Sequence, residues 1–152
     1  MTPAEVVSDL VARFPEVGPV ASWGETALFV NPEGRLKRGV YFATIKEKDG
    51  PNDRASALDR TGVWRLNVGL PPATYEALFG PRPARPPKGG AVSTGHDFSA
   101  TDTLLPHPVY AWMGWVCILC PSRERYDGLA PLLEAAFDKA SRAARKRSGV
   151  TS

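Results

Sequence analysis

Val63-Trp64-Arg65-Leu66-Asn67-Val68-Gly69-Leu70 runs straight into Pro71 and Pro72. Alternate residues of a strand face opposite sides, so Val63, Arg65 and Asn67 share one face and Trp64, Leu66 and Val68 the other. One face is apolar and suits a core. The other carries a guanidinium and an amide. The two prolines end the strand, and Ala73 to Phe79 reads as a short helix stopped by Gly80-Pro81.

The N-terminus opens with a helix signal. Thr2 can cap, Pro3 suits the first helical position, and Glu5 completes a capping box. Val6, Val7, Leu10, Val11 and Phe14 recur at helical spacing until Pro15 ends the run. From Val20 to Tyr41 the pattern becomes strand-like, with Trp23, Leu28, Phe29 and Val30 as strand formers and Asn31-Pro32-Glu33-Gly34 as turn chemistry. A further strand is expected over Val40 to Ile45, then an exposed loop over Asp49 to Asp53, and a helical turn over Ala55 to Leu58. Trp115 to Leu119 is apolar throughout and reads as a central strand. A final helix is expected from about Asp127 to Arg145, with Leu129, Leu132, Leu133, Ala136, Phe137 and Ala140 as its buried stripe and Pro131 near its first turn. These elements predict an α+β fold: an antiparallel meander with the N- and C-terminal helices packed on one face.

The 152 residues fit one domain, expected over residues 1–148. Such a chain buries roughly 70% of its unfolded surface, so its core needs no metal or disulfide. The segment 81–95 is rich in proline and glycine and is expected to be a mobile surface loop. The net charge of +3 is concentrated in Arg82, Arg85 and Lys88 and in a basic tail, residues 142–152, with Arg142, Arg145, Lys146 and Arg147. Such a tail attracts polyanions weakly, but cations also suit the C-terminal end of a helix dipole. No long apolar run suggests a membrane span, and nothing near Met1 suggests a secretory leader. A reducing, cytoplasmic setting is the expectation.

Several stretches look familiar. Trp23-Gly24-Glu25-Thr26, Phe42-Ala43-Thr44-Ile45 and Leu58 to Gly69 resemble the family known as domain of unknown function 6194. So do Asp97-Phe98, the run Thr101 to Tyr110, and Gly114-Trp115-Val116. The segment from Asp102 to Trp115 is the most specific part. The resemblance covers nearly the whole chain and implies no catalytic residues. A more distant likeness is to the YjbR/MmcQ fold, on the order of elements. The DNA-binding-like label of that group is no guide to function by itself.

Three constellations could carry chemistry. In Pro106-His107-Pro108 two prolines frame a histidine, with Asp102 and Tyr110 close in sequence. The simpler reading is a histidine bonding a loop carbonyl. Cys117 and Cys120 form a CxxC, but a strand sets such a pair on opposite faces and suits buried, reduced thiols better. His96, His107, Cys117 and Cys120 match a zinc ligand count in an unusual order, and no metal or cofactor is expected. Arg65 and Asn67, near Arg60 and Trp64, offer a fork for an anion, or Arg65 pairs with Asp59 or Asp102.

If the Asp102 to Tyr110 segment folds over the Arg65 face, then Arg65, Asn67, Asp102, His107 and Tyr110 form a ligand site with Trp112 at its rim. Tyr110 and Trp112 could also stack nucleic-acid bases. Nucleophile elbows, phosphate loops and catalytic carboxylate pairs are absent. The leading expectation is a non-enzymatic binding or interaction module. The alternatives are a small-anion or enzymatic site around His107 and Arg65, and weak nucleic-acid binding.

Overall fold

The structure, a computed structural model, describes residues 1–150. The chain forms an α+β fold around one six-stranded antiparallel sheet. In chain order the main elements are α1 (Pro3–Arg13), β1 (Val17–Ser22), β2 (Glu25–Val30), β3 (Val40–Lys46), β4 (Arg65–Gly69), α2 (Pro72–Phe79), β5 (Leu104–Pro106), β6 (Trp115–Leu119), α3 (Arg123–Asp127) and α4 (Ala130–Ser148). The sheet order is β1-β2-β3-β4-β6-β5. The first four strands are the expected meander. β6 then inserts beside β4, and β5 is the outer strand.

The alternation in β4 is as its sequence dictates. Leu66 and Val68 join the main core, which α1 and α4 cover. Phe14, Phe42 and Phe137 tie the helices to the sheet, with Phe14 stacked on Phe137 at 4.6 Å between ring centroids. The opposite face carries a second, smaller cluster of Leu58, Leu105, Cys117 and Leu119. Thr2 and Glu5 form the expected capping box at the start of α1.

Three local expectations are corrected, and one strand was missed. Trp23 is not in a strand. Trp23 and Gly24 are the two turn residues of the β1–β2 hairpin, both at positive φ, as a type I′ turn requires, and Trp23 is 88% exposed. Ala55 to Leu58 forms turns rather than a helical turn, because Ala57 is left-handed at φ 51°. The last helix starts at Ala130, not Asp127, and α3 precedes it separately. Pro131 has no N–H to donate back into the preceding turn, which favours a break before it, and it sits in the first turn of α4 where that N–H is not needed. β5 was not foreseen, since its three residues carry no alternation of their own.

The proline-rich segment contains Val92, which is buried and donates its N–H to the Pro108 carbonyl at 2.8 Å. Residues 142–148 of the basic tail are the last part of α4, where Arg145 pairs with Glu16. Residues 151 and 152 lie outside the described residues. Among the described residues no helix is long and apolar enough to cross a membrane.

Candidate functional site

On the sheet face turned away from the helices, Ala27, Thr44, Asn67 and Cys117 lie in one cross-strand row. Glu25, Lys46, Arg65 and Leu119 form the next row. A β-bulge shapes the far end. Leu28 pairs with Ala43 but Phe29 pairs with Tyr41, so Phe42 is the extra residue. Strict alternation would put Tyr41 and Thr44 on opposite faces. The bulge brings both into one cleft and turns Phe42 into the helical core.

The cleft holds about 360 Å³. Glu25, Ala27 and Phe29 come from β2, Tyr41 and Thr44 from β3, Asn67 from β4 and Trp115 from β6. Asp53 enters from the β3–β4 connection, and His107, Tyr110 and Met113 from the β5–β6 connection. The proline-framed segment therefore does lie over the Arg65 face. Gly69 sits beneath Trp115, where an added Cβ would meet the indole at 2.7 Å, so only glycine lets that ring lie flat on the sheet.

Arg65 is fully buried and organises the floor. Its two Nη atoms grip both carboxylate oxygens of Asp53, at 3.0 and 2.5 Å. Nη1 also donates to Ser56 Oγ at 2.9 Å, and Nε to Asn67 Oδ1 at 2.7 Å. Asn67 Nδ2 in turn donates to Thr44 Oγ1 at 2.9 Å. Nη2 also lies 3.3 Å from His107 Nε2. Burial alone would raise the Asp53 pKa, but the hydrogen bonds and charge of Arg65 outweigh it and hold the carboxyl below its ordinary value. For His107, burial and then the Arg65 charge push the pKa well below the ordinary histidine value, with Asp53 opposing. The ring is neutral.

Its tautomer follows from its neighbours. Nδ1 accepts from the peptide N–H groups of Val109 and Tyr110, both at 3.0 Å. Peptide N–H groups can only donate, so Nδ1 is bare and the ring proton sits on Nε2. The 3.3 Å contact with Arg65 is thus one donor facing another.

The expected partner of Arg65 is corrected: it is Asp53, not Asp59 or Asp102. Asp59 accepts from the Asp49 N–H, and Asp102 from the Ser122 N–H at 2.7 Å. The reading of His107 as donor to a loop carbonyl is corrected too, since its Nδ1 accepts from loop N–H groups. Of the six candidate residues, Asn67, His107 and Tyr110 line this cleft and Arg65 lies buried beneath them, bonded to Asn67 and Asp53. Asp102 instead ties its loop to the start of α3. Trp112 is not part of the lining; Arg85 lies over its ring at 4.9 Å. The two proposed stacking aromatics are therefore separated, with Tyr110 against His107 and Trp112 under an arginine.

Asp53, Ser56 and Thr44 were missed by sequence reasoning. The available signal was Arg65 itself, because an arginine inside a strand of buried neighbours requires a carboxylate near it. Cys117 is buried, its thiol pushed up to about 12 by burial, and it lies against the Pro106 carbonyl. Among the described residues no three His, Cys, Asp or Glu side chains gather as metal ligands.

No curated protein and no solved structure matches the chain. A family model does match, over residues 1–149, and by that match the chain belongs to DUF6194, a family of unknown function.

Proposed function

We propose that the protein is a non-enzymatic binding module that holds a small molecule in the cleft between β2, β3, β4 and the β5–β6 connection. Aromatic walls and a few convergent polar groups in a volume of this size are the usual makeup of a ligand pocket. The observation that carries the reading is the locked state of His107. Two peptide N–H groups occupy Nδ1, and burial beside Arg65 keeps the ring neutral. Taking up a proton would break two hydrogen bonds and bury a second cation against the first. A general base needs a free lone pair and a pKa near the working pH, and this histidine offers neither. It serves as a fixed hydrogen-bond donor. Nor does Arg65 offer its fork to a small anion, because Asp53 fills it.

A fragment library screened by 1H–15N NMR tests the reading, with Ala27→Phe as the blocked control. Ala27 lines the cleft without belonging to the main core, so the larger side chain fills the space and leaves the fold in place. Hits should shift the amides of Thr44, Asn67 and Tyr110 and vanish in Ala27→Phe. Hits scattered over other surfaces would contradict the proposal. So would hydrolase or phosphatase turnover that is lost in His107→Ala.

A further inference from the structure

Resting on that binding reading, the hydrogen-bond polarity of the cleft narrows the ligand class. We infer that the cleft takes an uncharged, planar ring compound bearing a carbonyl group, of the amide or lactam type, with the carbonyl oxygen accepting from His107 Nε2–H.

The polarity begins at Arg65, which can only donate. Its Nε–H fixes the Asn67 oxygen toward it, so the Asn67 nitrogen must face Thr44. Thr44 Oγ accepts that bond, which leaves the threonine proton to donate. It has no acceptor among the described residues. The ring proton of His107 is on Nε2 for the reason already given, and it too faces no protein acceptor, only the Nη2 of Arg65. Thr44 is 93% and His107 97% buried, from exposures of 7% and 3%, and both line the cleft. A buried donor without an acceptor forfeits the hydrogen bond it made to water, so each favours a ligand that supplies an oxygen. The network thus ends in donors, and the ligand must bring acceptors.

Charge rules out the other acceptor-bearing classes. The cations nearest the polar end are both engaged, Arg65 with Asp53 and Lys46 with Glu25 at 3.6 Å. Asp53 and Glu25 themselves line the cleft. A carboxylate or phosphate would meet two carboxylates and no free cation. An ammonium group would find both carboxylates already paired, with Arg65 and Lys46, and would set its own donors against the Thr44 and His107 protons. A neutral carbonyl meets neither objection. The rest of the lining selects a flat apolar body: Tyr41 and Trp115 lie 5.6 Å apart between ring centroids, with Phe29 at the side of Tyr41.

Three ring compounds of similar shape separate the possibilities: benzamide, benzoate and isopropylbenzene. Each is titrated into 15N-labelled protein, followed at the amides of Thr44, Val109 and Tyr110 and at the His107 ring nitrogens. Benzamide should bind about tenfold or more tightly than either of the others. Thr44→Val should weaken benzamide severalfold, and Thr44→Ser, which keeps the hydroxyl, should restore it. Benzoate binding as tightly as benzamide would overturn the uncharged class. Isopropylbenzene binding as tightly would overturn the role of the carbonyl. Equal weakening by Thr44→Ser and Thr44→Val would remove the hydroxyl as a donor. In each of those cases the cleft would still be a binding site. If no probe moves any cleft amide, the binding reading itself fails.

Discussion

Arg65 is a guanidinium with no solvent contact, and its charge is tolerable only because Asp53 matches it bidentately while Ser56 and Asn67 take further N–H groups. Removing one partner of a buried pair leaves an uncompensated charge and typically costs about 3–5 kcal/mol. Asp53→Asn should therefore destabilise the fold by about that much in urea denaturation. Arg65→Met should cost a similar amount. The double variant should lose clearly less than the two single losses combined, because the stranded charge is then gone. Strict additivity would mean that the two groups do not act as a pair. Arg65 and Asn67 were legible in the sequence as polar residues on a strand face. Asp53 was not, because it lies twelve positions from Arg65 in a connection whose path depends on turns at Gly50, Asp53 and Ala57. Local pattern carries no information about that path.

At the scale of elements, close approach between β4 and β6 builds the aromatic wall. Gly69 pairs with Trp115 across the sheet, and the indole lies over the missing side chain. Gly69→Ala must displace that ring. Overpacking of this kind costs about 1–3 kcal/mol, and here it should also alter the cleft. A destabilised variant with changed tryptophan emission and weakened benzamide binding is the expected outcome. Unchanged emission would show that the ring does not rest there. The elements with strong periodicity or caps were legible: α1, β3, β4, α2 and β6 lie within two residues of their expected bounds. The bulge at Phe42 and the strand β5 were not. A bulge is a mismatch between two strands and exists only once they pair, and β5 is held by β6 rather than by its own alternation.

For the molecule as a whole, the buried site makes stability depend on pH. Arg65 and Lys46 raise the cost of a proton on His107, Asp53 lowers it, and burial dominates all three, so the folded ring stays neutral well below its ordinary pKa. In the unfolded chain it titrates near 6.5. As pH falls through that value, the unfolded chain binds a proton that the folded chain refuses, so stability is lost on the acid side and is full above it. Between about pH 6.5 and 5.5 the expected loss is about 1 kcal/mol. Asp53 acts in a separate, lower window. Its folded pKa is depressed, so its contribution is present above the ordinary carboxylate range and fades as pH falls below it. Urea unfolding near pH 7.5 and near pH 5.5 separates the two, since Asp53 stays ionised across that interval while His107 takes up its proton in the unfolded chain within it. His107→Asn should flatten the difference, because its amide oxygen can still accept from the Val109 and Tyr110 N–H groups while no proton can bind. An undiminished difference in that variant would place the titrating group outside the cleft and would remove the neutral histidine on which its donor polarity depends.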